Sequence, residues 1–264
     1  HFIDFKNPDL VIKKIIRSSI SDLICKGVKP KYYFISGSGN KKSFTKKNLQ
    51  MISKSLHQEQ KKYSINLCGG DTTFSKKLSF TITTVGFSNK IVFRNKAKLN
   101  DDIYVTGNLG DSFVGLKILQ KKIHLNRKLT KYFRNKYFYP NLHITITKKL
   151  LSFANTSIDI SDGLVTDLEK LINNQNLSYK LYLNDIPASK NLNKLIDLKT
   201  IKKISTVTHG DDYQILFTAS PSKSRIIYKS CKSLGIKISK IGKICKHNQK
   251  SQIINEKNKK IALK

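Results

Sequence analysis

Apolar runs that stop abruptly in Asp-bearing turns constrain this chain more than any other feature. They occur at Cys68-Gly69-Gly70-Asp71-Thr72, Asp159-Ile160-Ser161-Asp162-Gly163 and His209-Gly210-Asp211-Asp212-Tyr213. A short apolar run reads as a strand needing cover, and a glycine turn at its end is where the next element begins. With segments of helical period between them, these runs predict an α/β (α+β) fold. The acids are scarce, 17 against 50 basic residues, and 14 of them are Asp. Asp is short and offers only oxygen, which suits Mg²⁺, a hard cation that takes one or two carboxylates and completes its shell with water and phosphate. The turns read together as one divided site for a metal-bound polyphosphate.

The periodicity predicts a helix over 9–25, with Leu10, Ile12, Ile15, Ile16, Ile20, Leu23 and Ile24 on one face and Gly27 as its stop. A strand over 31–36 is expected to turn at Gly37-Ser38-Gly39, followed by a helix over 45–63 and strands over 64–68 and 78–87. The polar, basic stretch 88–100 separates two βα patterns, so the domain boundary is placed near 93, giving domains 1–92 and 93–264. Beyond it come a strand over 102–106, a helix over 111–120, and a solvated connector with a short helix over 125–140. A helix over 144–155 leads into a strand over 157–160 and a helix over 164–173. Strands over 204–207 and 213–218 flank the third Asp turn, and a helix over 223–234 and a strand over 237–241 follow.

The net charge of +33 raises the question of nucleic acid. Lys supplies 45 of the basic residues and Arg only five, whereas Arg is the fork that reads phosphates and base edges. No specific nucleic-acid partner is expected, only salt-sensitive adhesion to polyanions. No apolar run approaches the roughly 18 residues of a membrane span, and no secretory signal is visible, so a cytoplasmic protein without a membrane partner is expected. Cys25, Cys68, Cys231 and Cys245 lack metal spacing and read as reduced thiols, with a Cys231–Cys245 bridge as the alternative. The first residue is His1 rather than Met, which reads as a fragment edge or a processed end; the C-terminus also reads as cut.

The glycines at 69 and 70 let backbone N–H groups approach phosphate oxygens, with Asp71 on the accompanying metal; a plain turn with a polar tip is the alternative. In an extended segment Asp159 and Ser161 share a face and Asp162 stands at the helix entrance. Carboxylates this close repel unless a cation or protons compensate, and helix capping accounts for only one of them. Gly107-Asn108-Leu109-Gly110-Asp111 lacks the Lys-Ser/Thr ending of a phosphate loop and is left out of the site. Ser21-Asp22, within the first helix, reads on its own as a solvated polar pair, and His209 as a satisfied loop histidine.

Taken in order, several stretches resemble the thiamine-monophosphate kinase family of the aminoimidazole-ribonucleotide-synthetase-like superfamily. They are His1-Phe2; Ser21-Asp22-Leu23 with Gly27 and Pro30; Gly69-Gly70-Asp71-Thr72-Thr73; Arg94 with Ala97; Asp102-Ile103-Tyr104-Val105-Thr106-Gly107 with Leu109-Gly110; Ile158 to Leu164; and Gly210-Asp211-Asp212-Tyr213 with Leu216-Phe217-Thr218. The resemblance implies a two-domain architecture whose N-terminal sheet domain dimerises and whose C-terminal α/β domain completes the site. It implies phosphorylation of thiamine phosphate by ATP with Mg²⁺. Asp22, Asp71, Asp159 and Asp162 would be metal ligands, Gly70, Asp71, Arg94 and Ser161 would contact ATP, and His1 and Asp211 would face thiamine phosphate.

The sequence departs from the family in three ways. The family opens with a further segment carrying a Gly-Asp-Asp loop and an Asp-Thr strand, and it has an aromatic substrate contact near its C-terminus; neither is present here. Its Gly-Gly-Glu-Asp-Tyr reads His209-Gly210-Asp211-Asp212-Tyr213, with an acid one methylene shorter. The alternatives are a selenophosphate or amidine-ring synthetase of the same superfamily, a non-catalytic Lys-rich nucleic-acid-binding protein, and a catalytically silent dimerisation scaffold.

Overall fold

Helix α1 (Pro8–Ile24) carries the cleanest helical period and organises the N-terminal half. Pro8 fits the first turn, where its missing N–H costs nothing, and Asp9 complements the positive end of the helix dipole. Val11, Ile12, Ile15, Ile16, Ile20 and Ile24 are all buried along one stripe. Gly27, at φ +79°, turns the chain out of the helix, as its position in the sequence predicts. The computed structural model describes residues 5–247, 251–255 and 259–261.

The first sheet is built on β1 (Pro30–Gly39). It pairs in parallel with β2 (Asn66–Gly69) and β3 (Thr72–Phe74) and antiparallel with β4 (Ser79–Gly86). The turn expected at Gly37-Ser38-Gly39 does not form: these residues extend β1, and Gly37 pairs with Thr72 on one side and Phe80 on the other. A Cβ on Gly37 would come within 3.3 Å of the Phe44 and Phe80 rings, so glycine serves ring packing here rather than chain reversal. Helix α2 (Lys46–Tyr63) starts where Thr45 accepts from the Asn48 N–H and ends at Ser64 in a left-handed conformation. The Arg17 guanidinium on α1 holds the Glu59 carboxylate on α2 through two 2.8 Å bonds.

The second sheet runs in the order β11 (Lys260–Ile261), β10 (Gln252–Ile254), β7 (Leu177–Tyr182), β9 (Ile238–Lys246), β5 (Asp102–Thr106), β8 (Ile215–Ala219), β6 (Thr156–Asp159). Within it β5 lies between β8 and the central strand β9, both antiparallel to it. Alternation along β5 sends Tyr104 into one core and Ile103 and Val105 into another. The first core gathers α1 with residues of α4 (Arg127–Phe138), α5 (Thr147–Phe153) and α8 (Ser224–Ser233), and α3 (Asp111–Leu119) packs Leu116 and Leu119 against it. The second lies under α6 (Leu164–Ile172). The two sheets thus separate across residues 87–101, while the first core draws on both halves of the chain.

Two further expectations need correction. The stretch 125–140 is largely the twelve-residue helix α4, capped by Asn126, with Phe133, Tyr137 and Phe138 buried. Its many cations occupy the outer face and mask the i, i+4 aromatic pair. The strand expected over 204–207 is a single 3₁₀ turn, Lys203–Thr206, leading to buried Val207. Strands β7 (Leu177–Tyr182), β10 (Gln252–Ile254) and β11 (Lys260–Ile261) and helix α7 (Lys190–Asp197) were not anticipated from the sequence. All four cysteines are free, so the Cys231–Cys245 alternative is not realised. Among the described residues no helix is long and apolar enough to cross a membrane.

Candidate functional site

Two of the three Asp turns interlock. Strand β6 (Thr156–Asp159) ends at Asp159, and the chain passes through Ile160 to Gly163 into α6. Asp167, one turn into that helix, reaches back: its Oδ2 accepts from the backbone N–H groups of Ser161, Asp162 and Gly163 at 2.8–3.1 Å. Asp167 thus ties down the loop ahead of α6, whose N-cap residue Gly163 makes no side-chain cap, and Asp159 takes no part in capping. The 208–213 turn lies against this loop, with the Asp211 N–H donating to the Ser161 carbonyl and the Tyr213 N–H to the Ile160 carbonyl. A Cβ on Gly210 would sit 1.8 Å from the Ser161 oxygen, so only glycine permits this approach. Asp211 and Tyr213 both hold positive φ, 67° and 49°, a strained conformation fixed by those bonds.

Beside the interlocked turns is a cleft of about 390 Å³. Ile15, Ser18, Ser19 and Asp22 on α1 form one wall, Phe80, Thr81 and Ile82 on β4 a second, and Asp159, Ser161 and Tyr213 the third. Asp159 and Ser161 share it, in line with their spacing. Ser21 donates to Asp159 Oδ2 at 2.8 Å. Burial, and then the neighbouring Asp22 carboxylate, push Asp159 up to about 7. Asp22 is also raised by burial, against the pull of Lys26 and Arg94. Lys26 donates to the Ser157 carbonyl. Arg94, exposed on the connector, is near enough for its charge to act on Asp22 and Lys26.

The remaining sequence-derived residues lie outside the cleft walls. Asp71 is exposed, and its carbonyl accepts from the Gly37 N–H of β1 at 2.8 Å. Gly37 pairs with Phe80, a cleft residue, so Asp71 stands two strand spacings, about 10 Å, from that wall. Gly70 packs its backbone on β1: a Cβ there would meet the Ile35 oxygen at 1.7 Å. Asp162 points outward, largely exposed and paired with Lys170 of α6. Asp211 is next to Ser161, its carboxylate engaged by Lys14 at 2.9 Å. His1 lies outside the described residues.

Among the described residues no three His, Cys, Asp or Glu side chains group closely enough to hold a metal by themselves. The Asp22–Asp159 pair nevertheless suits Mg²⁺ bound with a nucleotide, because that cation needs only one or two carboxylates when phosphate supplies the rest. A buried Asp159 raised by burial and by repulsion from the more open Asp22 is what a cation would relieve.

Sequence reasoning missed Lys14, Ser21, Lys26 and Asp167. Ser21 was visible as the neighbour of Asp22, but its bond crosses 138 positions of sequence. Asp167 lies three residues past the helix start at Leu164, and its partners are loop N–H groups ahead of the helix that no capping pattern anticipates. The Gly107–Asp111 turn, set aside earlier, does serve structure: the Gly110 N–H donates to buried Asp212 at 2.8 Å.

Residues 1–88 match the family of the AIR synthase related protein, N-terminal domain. The thiamine-monophosphate kinase of Buchnera aphidicola subsp. Schizaphis graminum is 34% identical over 262 residues, covering 98% of this chain and 80% of that protein. The crystal structure of thiamine monophosphate kinase from Aquifex aeolicus superposes with a TM-score of 0.85 at 25% identity, covering 100% of this chain and 85% of that one. A further structure, AaThiL complexed with AMPPCP and TMP, gives 0.86 at 25% identity, covering 100% and 82%.

Proposed function

The chain belongs to the thiamine-monophosphate kinase family, and we propose that it transfers the terminal phosphoryl group of ATP to thiamine phosphate, giving thiamine diphosphate and ADP. The observation that carries this reading is the pairing of buried Asp159 with Asp22, which is open to solvent, in a cleft walled by α1, β4 and the Asp159 turn. Asp22 and Asp159 would hold Mg²⁺, which neutralises charge on the nucleotide phosphates when bound. Asp71 and Asp162 are proposed as outlying ligands, Gly70 and Ser161 as contacts to the phosphates, and Arg94 as a further positive charge for them. His1 and Asp211 are proposed to face thiamine phosphate.

The acceptor is a phosphate oxygen, already anionic near neutral pH, so direct in-line attack needs no general base. What the chain supplies is position and charge. Ser161 is fixed by Asp167 and by the 208–213 turn behind it, and the Asp159 carboxylate by the Ser21 hydroxyl. The same family membership and the open outer face of the first sheet support a homodimer. Four free thiols and the lack of a membrane-length helix among the described residues support a cytoplasmic setting.

Incubating the chain with ATP, Mg²⁺ and thiamine phosphate tests the reading. Thiamine diphosphate is expected, with no phosphoenzyme after incubation with γ-labelled ATP alone. Asp159→Asn is expected to lower kcat by about 100-fold or more, the scale of losing one electrostatic group at a phosphoryl-transfer centre. Retained turnover in that variant would remove Asp159 from the site, and a trapped phosphoenzyme would replace direct transfer by a two-step route.

A further inference from the structure

Lys14 is fully buried in the middle of α1, where an ammonium is costly unless its charge is met. It is met on two sides. Its Nζ lies 2.9 Å from Asp211 Oδ1 and 3.1 Å from the centre of the Tyr137 ring on α4. Burial pulls it down to about 8, and Asp211 is the largest influence holding it up, with Asp212 adding to it. The same Asp211 Oδ1 accepts from the Tyr213 hydroxyl at 3.2 Å, and Tyr213 lines the cleft. Both contacts fall on one oxygen. Oδ2 makes no bond among the described residues, and the side chain keeps 26% of its surface exposed.

Asp211 is anchored at its backbone too, through the Ser161 carbonyl and a positive φ. An aspartate has no second methylene with which to search for a partner, so whatever grips Oδ1 sets the direction of Oδ2. With an ammonium this close, the pair presents little net charge to a distant cation. What remains at Oδ2 is a short-range, directional acceptor, which suits an N–H donor better than a delocalised cationic ring.

We infer that Lys14 is a positioning residue for the acceptor substrate: it clamps Asp211 through Oδ1 so that Oδ2 receives the exocyclic amine of thiamine phosphate. This rests on the proposed reading of Asp211 as a substrate contact. In the full chain, Lys14→Met keeps an unbranched side chain, one atom shorter, and removes its charge. It is expected to raise KM for thiamine phosphate about tenfold, the scale of a hydrogen bond to a charged group. The KM for ATP and kcat are expected to stay within about twofold. With a thiamine phosphate analogue lacking the amine, wild type and variant are expected to give equal KM values. A fall in kcat with an unmoved KM, or equal losses for both substrates, would overturn the inference.

Asp211→Asn supplies a second measurement that needs neither turnover nor a stable Lys14 variant. The Lys14 ammonium, followed by NMR of its Cε and Nζ, is expected to titrate at lower pH in Asp211→Asn than in wild type. An unchanged midpoint refutes the clamp whatever the substrate. A wild-type chain that forms no thiamine diphosphate sinks the kinase reading and the substrate half of this inference, and the titration then decides the clamp separately.

Discussion

Asp159 shows how one residue's setting becomes a measurable property. Its carboxyl is raised from an ordinary 3.8 to about 7 by burial and by Asp22, so the folded state holds a proton that the unfolded chain releases. The resulting stability is fully present below about pH 4 and is lost as pH rises through about 7. Without divalent cations, Asp159→Asn, which keeps an oxygen for Ser21, is expected to melt above wild type at pH 8 and level with it near pH 4. Thermal melts across that range check the sign. Mg²⁺ with an ATP analogue should raise the wild-type midpoint at pH 8 and leave Asp159→Asn nearly unmoved; equal responses would place the cation elsewhere. That Asp159 and Ser161 share a face was legible, because it follows from the two-residue period of an extended segment. The outward turn of Asp162 was not. It depends on Asp167 taking the three loop N–H groups, a geometry that exists only once α6 has formed.

At the scale of elements, long runs of one period were readable and short or crowded ones were not. Helices α1 and α2 stand close to their expected bounds: an apolar stripe dominates α1, while α2, whose buried side includes Ser55 and Glu59, is bounded by the Thr45 cap and by Ser64. Helix α4 was obscured by Arg127, Lys128, Lys131, Arg134 and Lys136 around its buried aromatics. Strand β3 has three exposed residues and therefore no alternation to detect. The contact between the Asp159 and Asp211 turns could not be read at all, since it joins loops about 50 positions apart, at long range in the chain. It is nevertheless sharp: Gly210→Ala would place a methyl 1.8 Å from the Ser161 oxygen. That substitution is expected to separate the turns and lower kcat by at least about tenfold, as small misplacements at a transfer centre do. Helix content by circular dichroism should be retained, because no helix bears on Gly210. Normal turnover in Gly210→Ala would show that the two turns act independently.

The whole molecule poses a question of balance between an open sheet and a large charge. The first core draws residues from both sides of the boundary proposed near 93, which a linear reading of composition does not reveal. That leaves the other face of the first sheet uncovered. Phe34 on β1 is 44% exposed beside Thr83, and β2 is exposed along its length. An open, partly apolar sheet face is a surface that proteins normally cover or use. In the proposed homodimer a second copy covers it. Each copy carries a formal +33, however, so association works against long-range repulsion that salt screens within about 8 Å at 0.15 M. The dimer is therefore expected to tighten as salt rises, opposite to an assembly held by surface ion pairs. Phe34→Lys adds a charge and removes a ring at the centre of that face, and it is expected to give a monomer at every salt concentration by sedimentation velocity. A wild-type chain that stays monomeric at 0.5 M salt, or a Phe34→Lys variant that still dimerises, would move the interface off this sheet.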